Sequence, residues 1–105
     1  MAAVDAVRPG VTAQKVDKAA RDVLKAHGLD KAFAHSTGHG LGLEIHEAPR
    51  LGKKEKTKLA AGMTITIEPG AYVEGHGGIR IEDTLLVTRT GCESLTPTSK
   101  EFVVL

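Results

Sequence analysis

Apolar residues follow two periods along the chain, and each period predicts its own elements. Val16, Ala20, Val23, Leu24 and His27 recur at helical spacing, so a helix is predicted over Ala13 to His27. Thr12 stands at its N-cap and Gly28 at its stop. Asp17, Asp22, Lys15, Lys18, Arg21 and Lys25 fall largely off the apolar stripe and are expected to form a solvated face. His27, in the last turn, fits a partner for the helix C-terminal dipole rather than a ligand. Ala2 to Val7 has the pattern of the last turns of a helix halted at Arg8-Pro9-Gly10. A helix that short is unstable in isolation, so the chain is expected to begin inside an element.

Past Phe33 the period changes to two. Met63, Ile65 and Ile67 alternate with Thr64, Thr66 and Glu68, and Ile79, Ile81, Leu85 and Val87 alternate with Arg80, Glu82, Thr84, Leu86 and Thr88. Two long strands, Met63 to Glu68 and Ile79 to Thr88, are therefore predicted at the centre of the domain. A turn at Thr90-Gly91 leads to a short last strand around Cys92 to Leu95. The expected class is α+β in a single domain over residues 1–105, with helices packed on an antiparallel sheet.

Composition adds exclusions. Fourteen Lys and Arg against thirteen Asp and Glu give a formal net charge of +1, which leaves no basic excess for tracking nucleic acid. The single Phe-rich or Trp-rich shelf that base stacking needs is absent: Phe33, Tyr72 and Phe102 are the aromatics. No apolar run approaches the ~18 residues of a membrane span. Cys92 is the one cysteine, so no internal disulfide is possible; a reducing, cytoplasmic setting is expected, with Cys92 packed and inert. One chain of 105 residues buries roughly two-thirds of its unfolded surface, enough for one modest core.

Polar residues then stand out at unusual places. His35, His39 and His46 lie within AHSTGHGLGLEIHE, beside Gly38, Gly40 and Gly42. Each glycine costs a helix about 1 kcal/mol, so a glycine-rich loop entering a strand is the better prediction. The missing side chains let either a ligand or another strand approach the backbone. Glu68 ends one predicted strand and Glu82 sits in the middle of the other, both on the polar face. Paired strands would bring the two carboxylates together, where they repel unless a cation joins them; a wet polar face is the alternative. One imidazole type and two carboxylates form a borderline-to-hard ligand set suited to Mn, Co, Fe or Zn.

The segments HSTGHGLGLEIHEAPRL, GMTITIEPGAYV and GGIRIEDTLLVT closely resemble the C-terminal part of Xaa-Pro aminopeptidases and prolidases. These are the pita-bread metallopeptidases, related to methionine aminopeptidase and creatinase. VRPGVTAQKVDKAARDVLKAHG and GCESLTPTSKEFVVL extend the resemblance over essentially the whole chain. APRL and GIRIED favour the Xaa-Pro branch. The resemblance implies half of a pita-bread fold, with a curved sheet, and hydrolysis of the peptide bond before proline by two divalent metals (Mn, Co or Zn). His39 matches a metal-binding histidine, Glu68 a metal-binding glutamate that also shuttles a proton, and Glu82 the glutamate bridging both metals. His46 matches the histidine that hydrogen-bonds the scissile peptide, His35 a histidine lining the substrate pocket, and Arg80 an arginine that orients the bridging carboxylate. His76 matches nothing in the site and is expected in a loop.

The resemblance also implies a shortfall. The family's other two metal ligands are aspartates on earlier strands, and none of Asp5, Asp17, Asp22, Asp30 or Asp83 occupies a matching position. A pocket-side histidine of that earlier half has no counterpart either. Three of five ligands suggest a C-terminal half-site, weakly active or inactive alone, with a peptide bearing proline in second position as substrate. A homodimer that mimics the family's pseudo-twofold, pairing with the missing N-terminal half, and a metal-free peptide-binding module are the other expectations.

Overall fold

In the computed structural model, which describes residues 1–105, α1 (Ala2–Ala6) and α2 (Ala13–Ala26) occupy the predicted places. Gly28 follows at φ +71°, a left-handed conformation that ends the helix cheaply. The Nδ1 of His27 lies 2.8 Å from the Val23 carbonyl, so this histidine closes the helix end. The N-terminus of α2 is built differently from expectation. Thr12 is the N-cap residue, but its hydroxyl makes no capping bond and is buried without a partner. Loop carbonyls take over: Ala13 N–H donates to Thr57 O at 2.9 Å and Gln14 N–H to Glu55 O at 2.8 Å.

After a single turn at Asp30–Ala32, strands β1 (Gly38–Gly40), β2 (Glu47–Leu51), β3 (Thr64–Ile67), β6 (Asp83–Val87) and β7 (Cys92–Ser94) form one antiparallel sheet in the order β2-β1-β3-β6-β7. Strands β4 (Gly70–Val73) and β5 (Gly77–Arg80) form a separate two-stranded ribbon. The predicted strand Ile79 to Thr88 is thus two strands in two sheets. Ile81 and Glu82 mark the break, because Arg80 pairs with Gly70 whereas Asp83 pairs with Ile67. Alternation continues through such a break and cannot reveal it. Strands β2 and β4 were hidden for a related reason: Pro49 and Gly70 interrupt the strand signal.

The core lies between the helices and the large sheet. Val16 and Ala20 from α2 meet Leu51, Ile65, Ile67, Leu85 and Val87, all buried, with Phe33 and Leu59 sealing the sides. Two residues assigned to the solvated face of α2 belong to this interior. Asp17 is 1% exposed and the Arg21 side chain 16%. They satisfy each other and the irregular segment beneath them, so charge alone does not mark the outer face of this helix. No helix is long and apolar enough to cross a membrane.

Candidate active site

The geometry of the site follows from strand register. Thr64, Ile65, Thr66 and Ile67 of β3 face Leu86, Leu85, Thr84 and Asp83 of β6. One step further in the same register lie Glu68 and Glu82, the two residues at which the chain leaves the large sheet into the β4–β5 ribbon and returns from it. The ribbon is therefore a hairpin inserted between β3 and β6, with one glutamate at each leg. The predicted convergence of the two carboxylates holds, although Glu82 is at a strand break rather than in mid-strand.

His39 reaches the same place from β1. Gly40 pairs with Ile65, which puts Gly38 and Gly40 in step with the core-facing isoleucines and His39 in step with Thr66. The His39 N–H donates to Thr66 Oγ1 at 3.1 Å, and its Nδ1 lies 2.8 Å from the Gly40 carbonyl. That leaves Nε2 free to face Glu68, whose Oε2 is 3.7 Å away. The flanking glycines serve another strand and not a ligand. A Cβ at Gly38 would stand 1.8 Å from the Thr66 carbonyl oxygen, and one at Gly40 2.3 Å from that of Ala48.

The other predicted residues gather around this pair. The His46 ring, on an exposed loop, lies 4.5 Å from the His39 ring between centroids. Arg80 Nη2 is 3.7 Å from Glu82 Oε2. His35 presents Nδ1 to the Ser36 carbonyl at 2.8 Å and Nε2 to the Tyr72 hydroxyl at 3.2 Å. An open cavity of about 700 Å³ is lined by His35, His39, His46, Glu68 and Arg80. His76 lies outside it, in the turn of the β4–β5 hairpin, as expected.

Arg50 also lines the cavity, directly opposite His39 in the β1–β2 register. In the sequence, APRL serves only as a family mark and does not single out Arg50. Once Glu47–Leu51 is taken as a strand, Leu51 points to the core and Arg50 away from it, which is the signal that could have found this residue. Tyr72, the partner of His35, gave no signal because β4 was not predicted.

The electrostatics of the site are those of crowded anions. Glu82 is held above the ordinary carboxylate range, first by partial burial and then by repulsion from, and hydrogen bonding to, the Glu68 carboxylate. Arg80 and His39 pull the other way without cancelling it. No group of three or more His, Cys, Asp or Glu side chains is placed so that it could hold a metal ion.

Residues 1–89 match the profile of metallopeptidase family M24. The chain belongs to that family. It is 50% identical over 101 residues to the Xaa-Pro dipeptidase of Pyrococcus furiosus, a match that covers 96% of the chain and 29% of that relative. Among solved structures it superposes on an Xaa-Pro dipeptidase from Bacillus anthracis with TM-score 0.96 at 45% identity, covering 99% of this chain and 29% of that one. The prolidase from Pyrococcus horikoshii gives TM-score 0.93 at 48% identity, covering 96% and 29%. The fold is accordingly the prolidase-type pita-bread fold, of which these 105 residues supply a part less than a third as long as the relatives. In chemical type, though not as a preassembled group of three, the donors suit the divalent metal that this family of metallopeptidases implies. Glu68 and Glu82 repel as bare carboxylates, an imidazole nitrogen faces one of them, and a shared cation is what relieves such repulsion.

Proposed function

We propose that this chain carries the C-terminal half of a dinuclear metallopeptidase site that hydrolyses the peptide bond before proline. The observation that carries this reading is His39 Nε2 at 3.7 Å from Glu68 Oε2, with Glu82 opposite Glu68 at the base of one hairpin and pushed up in pKa by partial burial and then by Glu68. In this reading those three residues would hold divalent cations (Mn, Co or Zn), two in a complete site. Such a pair supplies Lewis acidity toward water and the substrate carbonyl. Glu68 accepts the proton of the attacking water and passes it to the leaving amine. His46, exposed beside His39, donates a hydrogen bond to the oxygen of the tetrahedral intermediate. Arg80 orients Glu82, and His35 lines the pocket for the residue after the cut.

Three ligands of five make turnover by these 105 residues alone far weaker than that of a complete enzyme, the two aspartates belonging to an N-terminal half. The test is a melting-temperature titration with Mn, Co and Zn, since a ligand that binds the folded state alone stabilises it. Each effective metal raises the melting temperature, Glu82→Gln removes most of the rise, and an N-terminal half added in trans restores cleavage of a peptide with proline second. Melting curves unmoved by all three metals refute the reading. A metal-free peptide-binding module, the rival from the sequence, gains nothing from two carboxylates in contact. The free, half-buried Cys92 fits the reducing cytoplasm as the setting.

We also propose that two copies associate through the apolar surface of the β4–β5 ribbon. Ile65 and Ile67 are fully buried and cannot drive pairing, whereas Val73 and Ile79 on the β4–β5 ribbon are 41% and 58% exposed. Beside them runs an apolar groove of about 320 Å³ lined by Ala20, Val23, Leu24, Ile79 and Ile81. Sedimentation at several concentrations shows a dimer, and a mass constant near 11.1 kDa refutes it.

A further inference from the structure

Between the helix and the site lies an irregular segment. Residues 33–37 belong to no strand, yet Phe33 and Thr37 are buried, so their peptide groups need specific partners. One side chain of α2 supplies two of them, at Phe33 and His35, while the Thr37 N–H also donates to the Leu51 carbonyl at 2.9 Å. Arg21 stacks its guanidinium 4.2 Å over the Phe33 ring, donates Nη1–H to the Phe33 carbonyl at 3.0 Å and donates Nη2–H to the His35 carbonyl at 2.6 Å. Asp17 fixes that fork from behind, accepting from Nε at 2.6 Å and from Nη2 at 3.2 Å. The same carboxylate reaches forward to the next residue of the segment. Its Oδ1 accepts the Thr37 hydroxyl at 2.8 Å and the Thr37 N–H at 3.1 Å. Thr37 in turn offers its carbonyl to the Glu68 N–H at 2.6 Å.

We propose that Asp17 and Arg21 are a positioning pair for the metallopeptidase site: together they set the path of residues 33–37 and, through the Thr37 carbonyl, the placement of Glu68 beside His39. The inference rests on the reading of Glu68 and His39 as site residues. Stability is a poor explanation of the pair, because a buried ion pair seldom outperforms well-packed apolar side chains of equal volume. Geometry is what an apolar pair cannot supply. Only a planar fork can satisfy two carbonyls and one carboxylate at once. His35 is held through its own carbonyl, and Glu68 through the hydrogen bond its N–H donates to Thr37, so both ends of the cavity connect to one helix.

The experiment compares the parent with Arg21→Met, which keeps bulk but loses the fork, and with the milder Arg21→Lys and Asp17→Asn. Amide hydrogen exchange is read by NMR at two positions without metal: Glu68, bonded to Thr37, and Val87, bonded to Met63 at 2.8 Å. Glu68 exchange in Arg21→Met accelerates at least about tenfold while Val87 stays near the parent rate, and Mn²⁺ affinity falls by about tenfold or more. Arg21→Lys, which retains one donor group, lies between. If Arg21→Met does not fold, Arg21→Lys and Asp17→Asn carry the same comparison. Glu68 exchange that is unchanged, or that rises only in step with Val87, overturns the proposal in favour of a general structural role. A parent that binds no Mn²⁺ counts against the metal reading, and the exchange ratio then decides the positioning role by itself.

Discussion

Replacing Gly38 by alanine adds one methyl group at the point where β1 touches β3 most closely. The new Cβ would lie 1.8 Å from the Thr66 carbonyl oxygen and 2.7 Å from its carbon. An ordinary contact is about 3.5 Å, so the two backbones must separate by roughly 1.5 Å. The obstacle is main chain on both sides, and neither can swing away as a flexible side chain would. Overpacking of this kind costs about 1–3 kcal/mol, and the absence of any soft neighbour puts Gly38→Ala near the upper end. At about 4–8 °C per kcal/mol for a domain of this size, the melting temperature should fall by about 12 °C or more. The separation also carries His39 away from Thr66 and Glu68, so Mn²⁺ stabilisation should disappear with it. Gly91→Ala is the control, because a Cβ there meets nothing within 4 Å. Thermal melts followed by circular dichroism, with and without Mn²⁺, give both numbers. A Gly38→Ala protein melting within about 2 °C of the parent would refute the claim that strand proximity dictates this glycine.

Two further outcomes follow from the titrating groups. Because Glu82 is held above the ordinary carboxylate range in the folded state, its contribution to stability is present at low pH and is lost as pH rises through its folded value. Metal-free protein should therefore lose melting temperature relative to Glu82→Gln as pH rises above the ordinary carboxylate value of about 4.5, and a parallel pH course for the two proteins would contradict the crowding of Glu68 and Glu82. The Cys92 thiol is pushed up by burial and then by Asp5, so alkylation by iodoacetamide near pH 8 should be slower than that of a free cysteine, and a rate equal to free cysteine would contradict it.

Sequence by itself determined the helices, the central strands and the roll of candidate site residues. Period 3.6 located α2, because an amphipathic helix cannot bury one face without showing that repeat. Period 2 located β3 and β6, and the spelling around His39, Glu68 and Glu82 carried a family resemblance that the fold comparison bears out. Tertiary structure decided what local pattern cannot encode. The alternation from Ile79 to Thr88 is continuous, but the pairing partner changes at Ile81-Glu82, and partners lie far away in the chain. Asp17 and Arg21 look solvated because charge ordinarily is; they are interior because they bond the Phe33 and His35 carbonyls and the Thr37 hydroxyl from the neighbouring helix. Gly38 and Gly40 advertise a close approach, and only the folded sheet reveals that the approaching atoms are the carbonyls of Thr66 and Ala48. Periodicity reports which side of an element faces apolar surroundings, whereas the identity of what it meets is a property of contacts across the chain.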